Sequence, residues 1–126
     1  QEPFHHDSST VSGTHNHDAL TYGMVWFNQA NAGGSFVINL RGDANTTFDS
    51  LIDIGKVTVM TIYSGNNSAS NYMTAFQIDG SAQTVKYSGG SAPSAATGSG
   101  VDVYSMTIFK IGASSYEVYG NFTNFA

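Results

Sequence analysis

The sequence predicts an all-β chain, an antiparallel β-sandwich or jelly-roll-like domain with an extended N-terminal arm. Three observations carry this. The 126 residues include 14 glycines and many Ser, Thr and Asn, with only 10% charged residues, a composition suited to short strands and tight turns. No window sustains a 3.6-residue apolar period, so helix is not expected. Runs of β-favouring residues recur instead, separated by turn clusters about every ten residues.

Taken in order, residues 1–19 stand apart. They hold all four His residues, and their only apolar residues besides Ala19 are Phe4 and Val11. Such a stretch cannot bury enough surface to fold alone, so it reads as an extended arm ordered by whatever binds it. The domain proper spans residues 20–126. LTYGMVWF (20–27) and SFVINLR (35–41) have strand composition, with the loop NQANAGG between them. FDSLIDIG (48–55) reads as a short strand or an irregular connection. In KVTVMTIYSG (56–65), Val57, Val59 and Tyr63 share one face, and Met60 and Ile62 the other.

YMTAFQIDGSAQTVKYSGG (72–90) reads as a hairpin. Asp79-Gly80 supplies the turn, because Gly takes positive φ without steric cost. Tyr72–Ile78 and Gln83–Tyr87 would be its arms, with Ser81 and Ala82 lengthening the loop. SGGSAPSAATGSG (88–100) is a small-residue loop. In VDVYSMTIFKI (101–111), Val101, Val103 and Phe109 oppose Tyr104, Met106 and Ile108. Tyr116, Val118 and Phe122 share a face in the final strand. Apolar residues on both faces of two strands require cover on both sides: the second layer covers one, and loops or, as expected here, a second copy of the chain cover the other.

Composition also excludes function classes. Four cations (Arg41, Lys56, Lys86, Lys110) against a net charge of −5 do not make the basic surface that nucleic acid or an anionic membrane requires. No apolar run reaches membrane-spanning length. With no Cys, neither disulfides nor thiolate chemistry are available. A start at Gln1, with no signal peptide, suits a processed product or part of a longer polypeptide.

His15-Asn16-His17 is the sharpest chemical pattern. In an extended chain, side chains i and i+2 point the same way. Three parallel chains would bring six imidazoles to one axis, a set suited to octahedral iron or nickel rather than zinc. Ordinary solvated histidines are the alternative reading. His5 and His6 point opposite ways and read as surface residues. Asp43, Asp49, Asp53, Asp79 and Asp102 lie in or beside turns, and no spacing selects the acid pair that a glycosidase needs. Arg41-Gly42-Asp43 reads as a turn at a strand end.

INLRGD, TTFDSL, the YMTAFQIDGSAQTVKYSGGSAPSA block, DVYSMTIFKI and the aromatic, Ala-terminated tail together look like the C-terminal domain of marine bacteriophage tail fibres, cyanophage fibres especially. The resemblance spans about Leu20 to Ala126. It implies a virion-surface protein, a homotrimer that joins other virion proteins and binds host polysaccharide or an outer-membrane protein without catalysis. Thr14-His15-Asn16-His17 is similar to the His-x-His element of contractile-phage needles, where three chains hold axial iron. Those needles usually repeat the element, and this chain has one copy. Other readings are a capsid decoration or another appendage subunit, or a carbohydrate-active enzyme. For a receptor binder, the expected contacts lie on loops 28–34, 65–71 and 88–100, with Asn28, Asn31, Asn66, Asn67, Tyr72, Tyr87 and Ser91 as candidates.

Overall fold

The computed structural model describes residues 1–28, 34–66 and 68–126. Among them lie ten strands: β1 (Phe4–Asp7), β2 (Gly13–Asp18), β3 (Met24–Phe27), β4 (Phe36–Arg41), β5 (Val57–Gly65), β6 (Met73–Ile78), β7 (Ser81–Ala82), β8 (Val85–Tyr87), β9 (Val101–Gly112) and β10 (Ser115–Phe125). One short 3₁₀ turn, Ser88–Gly90, is the sole helical element among these residues. The strands form a six-stranded sheet, β1-β3-β5-β9-β10-β8, and a four-stranded sheet, β2-β4-β6-β7. The all-β sandwich expected from composition is therefore present.

Strand pairing differs from the expected antiparallel pattern, and both sheets are mixed. The first six strands alternate between sheets, so neighbours within a sheet are two apart in sequence and run parallel: β1/β3, β3/β5, β2/β4 and β4/β6. Antiparallel pairing begins with β6/β7 and dominates through β5/β9 and β9/β10. Local patterning reports which face of a strand is buried, not its neighbour's direction.

The N-terminal segment is extended, but it is not a free arm. β1 forms one edge of the larger sheet and β2 one edge of the smaller. Their polar composition fits edge positions, where one side of the strand meets solvent.

The Asp79-Gly80 turn forms as expected, with both residues at positive φ (50° and 82°). Its loop is only those two residues, because Ile78 pairs with Ser81 and Gln77 with Ala82. The chain then leaves this sheet, and Val85–Tyr87 pairs in parallel with β10 in the other. Thr74 is an extra residue opposite β4, since Phe36 pairs with Met73 and Val37 with Ala75. That bulge reverses the inward parity, so Met73, Phe76 and Ile78 are buried while Thr74 is exposed.

One core fills the space between the layers. Val25, Phe27, Met60, Ile62, Tyr104, Met106, Ile108 and Val118 enter from the larger sheet, and Phe36, Ile38, Leu40, Met73, Phe76 and Ile78 from the smaller. The Phe27 and Phe36 rings meet across the gap at 6.0 Å. The buried Tyr104 hydroxyl accepts a hydrogen bond from the Met73 amide at 3.1 Å, satisfying a phenol that burial would otherwise penalise.

At Gly120 the packing leaves no room for a side chain. A β-carbon there would lie 2.7 Å from Val85 Cγ1 and 2.9 Å from Tyr87 Cε1. Gly120→Ala should therefore force β8 off β10 and cost about 1–3 kcal/mol, the range typical of overpacking. A lowered urea midpoint with unchanged slope is the expected result.

Candidate functional site

His15 and His17 lie on one face of β2, as the strand period requires, but that face points between the sheets. His17 is 1% exposed. Its Nε2–H donates to the Tyr22 carbonyl at 3.0 Å, which leaves Nδ1 as the bare nitrogen, buried without a hydrogen-bond partner among the described residues. Burial pushes the His17 pKa down to about 4, so the ring is neutral at neutral pH. A ring enclosed within one chain is not positioned to join rings of other chains on a common axis.

What the fold brings to His15 is the inward side of β1. His5 and Asp7 point inward, while Phe4 and His6 face out. One ligating atom from each of His5, Asp7 and His15 can be chosen so that all lie within 4.8 Å of one another. His15 Nδ1 is 3.9 Å from Asp7 Oδ2, and His15 Nε2 is buried without a hydrogen-bond partner among the described residues. The His5 ring stacks between His15 (5.4 Å) and Tyr22 (5.0 Å), and the Phe27 ring meets His15 edge-on at 4.9 Å. Burial, and then the neighbouring His5, lower the His15 pKa. Burial alone would raise the Asp7 pKa, but the hydroxyl and amide of Ser9 and the two imidazoles bring it below the usual carboxylate value. The sequence reads both His5 and His6 as surface residues; His6 is exposed, but His5 is half-buried and turned inward. The same period-two rule, applied to His5-His6-Asp7, pairs His5 with Asp7.

Two of the candidate loops, 65–71 and 88–100, are fastened to each other. The Asn66 amide donates to Gly100 O, the Gly98 amide donates to Asn66 Oδ1, and the Ala96 amide donates to Ala69 O. Asn28 and Ser91 are exposed, and residues 29–33 lie outside the described residues. Asn66 is 2% exposed and is committed to Gly98 and Ser64, so it fastens loops together instead of offering a contact. Tyr72 and Tyr87 are half-buried. Tyr87 packs against the core, and burial raises its pKa to about 12. Asn31 and Asn67 lie outside the described residues.

The turn acids are structural acceptors rather than merely solvated groups. Asp79 accepts the amides of Phe48 (2.7 Å) and Asp49 (3.0 Å). The buried Asp102 accepts Thr97 N–H and Asn124 Nδ2–H. Asp49 accepts the Tyr116 hydroxyl at 2.6 Å and the Ser114 amide at 2.9 Å. It also pairs with Lys110 at 3.0 Å. Asp43 accepts the Asn45 amide, while Arg41 turns away to Asp18 at 2.7 Å, so Arg41-Gly42-Asp43 is a built turn. Asp53 closes a tight turn through its backbone carbonyl, which accepts the Lys56 amide.

Hydrogen bonds from Tyr116, then Lys110, lower the Asp49 pKa. A carboxylate with a folded pKa below its unfolded value of about 4 stabilises the fold above that pH and loses this contribution as pH falls through the folded value. Asp49→Asn should be less stable than the parent at pH 7, with the gap narrowing below about pH 4. Urea midpoints of both proteins between pH 7 and 3 check this, and a gap independent of pH would refute it.

Comparison with protein-family models, with curated proteins and with solved structures finds no match to this chain.

Proposed function

We propose that this chain is a host-surface binding domain of a marine-type phage tail fibre, acting without catalysis as a homo-oligomer, in the simplest case a trimer. The sequence resemblance suggests the particle, and one structural observation supports the assembly: the outer face of the larger sheet is apolar. Val57 (53% exposed), Val59 (58%), Phe109 (41%), Ile111 (60%) and Tyr119 (46%) form a stripe across β5, β9 and β10, with the Phe109 and Tyr119 rings edge to face at 6.0 Å. Phe4, Met24, Trp26 and Tyr63 line an apolar hollow on the β1–β3–β5 side.

Apolar patches of this kind on a soluble domain mark contact surfaces. The opposite outer face behaves differently. There the smaller sheet carries a polar ladder, with Asn39 Nδ2 donating to Asn16 Oδ1 and Arg41 paired with Asp18. Only one side of the sandwich therefore calls for cover. A second copy suits it, because the outward-facing residues of the larger sheet's strands carry, besides His6, one mutually paired set of charges, Lys86 with Glu117. Copies can meet there without the repulsion that the net charge of −5 would otherwise bring. Closed symmetry is the usual outcome for identical chains. The joined 65–71 and 88–100 loops then remain free to meet the host, as rigid scaffolds commonly arrange.

Light scattering on the purified chain should give a mass of several copies, and Val59→Lys combined with Ile111→Lys should give monomers with unchanged far-ultraviolet circular dichroism. A monomeric parent chain at micromolar concentration would overturn the assembly. Gold-labelled antibody against this domain should mark tail-fibre tips on intact virions. Label on the capsid would favour a decoration subunit, and the absence of label would exclude a virion-surface role.

A further inference from the structure

Two edge strands from different sheets place three metal-ligating side chains together on the open side of the sandwich. β1 directs His5 and Asp7 inward, and β2 directs His15 toward them, with one chosen ligating atom from each lying within 4.8 Å of the others. Two imidazoles and a carboxylate are borderline ligands suited to late first-row ions rather than to calcium or magnesium, which prefer oxygen. Three protein ligands with a remaining position for water match a common zinc arrangement. Around a tetrahedral ion with bonds of about 2.1 Å, ligand atoms sit roughly 3.4 Å apart. The observed spacing therefore requires a closure of about an ångström, within reach of χ rotations of half-buried side chains.

A second observation points the same way. His15 Nε2 is buried without a hydrogen-bond partner among the described residues, and Nδ1 stands 3.9 Å from Asp7, beyond hydrogen-bonding length. A buried imidazole nitrogen without a partner is unusual in a folded interior, where such groups are nearly always satisfied. An ion bound through Nε2 supplies the missing partner. Tyr22, stacked on His5, and Phe27, edge-on to His15, restrict how far the two rings can turn.

We propose that His5, Asp7 and His15 form an intrachain site for one divalent transition-metal ion of the zinc class, which fastens the edge strand of one sheet to the edge strand of the other. The site is complete within a single chain, so its stoichiometry is one ion per chain however many copies associate. This differs from an axial ion shared by three chains through His15 and His17. An ion that binds the folded chain and not the unfolded one raises stability by mass action. The effect should be greatest at the N-terminal strands, which contribute all three ligands.

The test uses the full, untagged chain stripped with a chelator and titrated with zinc by calorimetry, with cobalt absorption as a check on coordination. One zinc per chain is expected, together with a rise in Tm. Asp7→Asn and His5→Gln should each weaken zinc binding by at least about tenfold, the lower scale seen when even an outer-sphere partner of a metal ligand is lost. His6→Ala, on the outward face of β1, should change nothing. Circular dichroism checks the fold of each variant, and should Asp7→Asn fail to fold, the half-exposed His5→Gln decides alone. No zinc uptake by the parent, uptake retained by both variants, or one ion per three chains would each overturn the site.

Discussion

The structure depends on burying one apolar layer between two sheets that the chain visits alternately. From β1 to β6 each strand leaves one layer and enters the other, so neither sheet can be completed by pairing strands adjacent in sequence. From β3 onward each crossing brings an apolar strand face against the opposite sheet, as where Phe27 ends β3 and Phe36 begins β4. Parallel neighbours follow from this winding, since every second strand runs in the same direction. Only after Asp79-Gly80 does the chain turn to hairpins, and the long β9/β10 pair then completes the larger sheet. Burial of the layer supplies the dominant stabilising term, and the order in which strands reach it fixes the topology.

Much of this was legible residue by residue. Strands 36–41, 57–65 and 101–112 and the Asp79-Gly80 turn follow from alternation and glycine chemistry, because both are local; which of two apolar faces turns inward does not. The direction of neighbouring strands was not legible, since burial leaves the same imprint on parallel and antiparallel pairs. Strict alternation puts Tyr72 and Thr74 on one face with Phe76 and Ile78, but the bulge at Thr74 exchanges Tyr72 for Met73. Val85–Tyr87 has the composition of a hairpin arm, and only the closeness of β10, where Gly120 makes room, draws it into the other sheet.

The histidines illustrate the same limit. That His15 and His17 share a face was readable; that the face turns inward was not, because a polar strand looks like a solvated arm until its neighbours are known. Asp7 enters the cluster only because β1 and β2 occupy edges on the same side of the sandwich. The turn carboxylates likewise resemble solvated groups in sequence. In space, Asp79 holds the 48–49 backbone, and Asp49 with Lys110 ties the 48–55 connection to β9 and β10. With charge so sparse, each buried or half-buried ionic group fastens a connection that has few apolar residues of its own.

The position of the first eighteen residues has one more consequence. β1 and β2 occupy the hydrogen-bonding edges of β3 and β4, strands rich in aromatic and β-branched side chains. Uncovered strand edges of that composition are templates for pairing with foreign chains. The polar N-terminal strands therefore act as a sheath: they present solvent with an edge of His, Asp, Asn and Thr, and keep the stickier strands out of reach of other molecules. Proteolytic removal of this segment would leave most of the core packing in place and still leave the domain prone to aggregate along two edges at once.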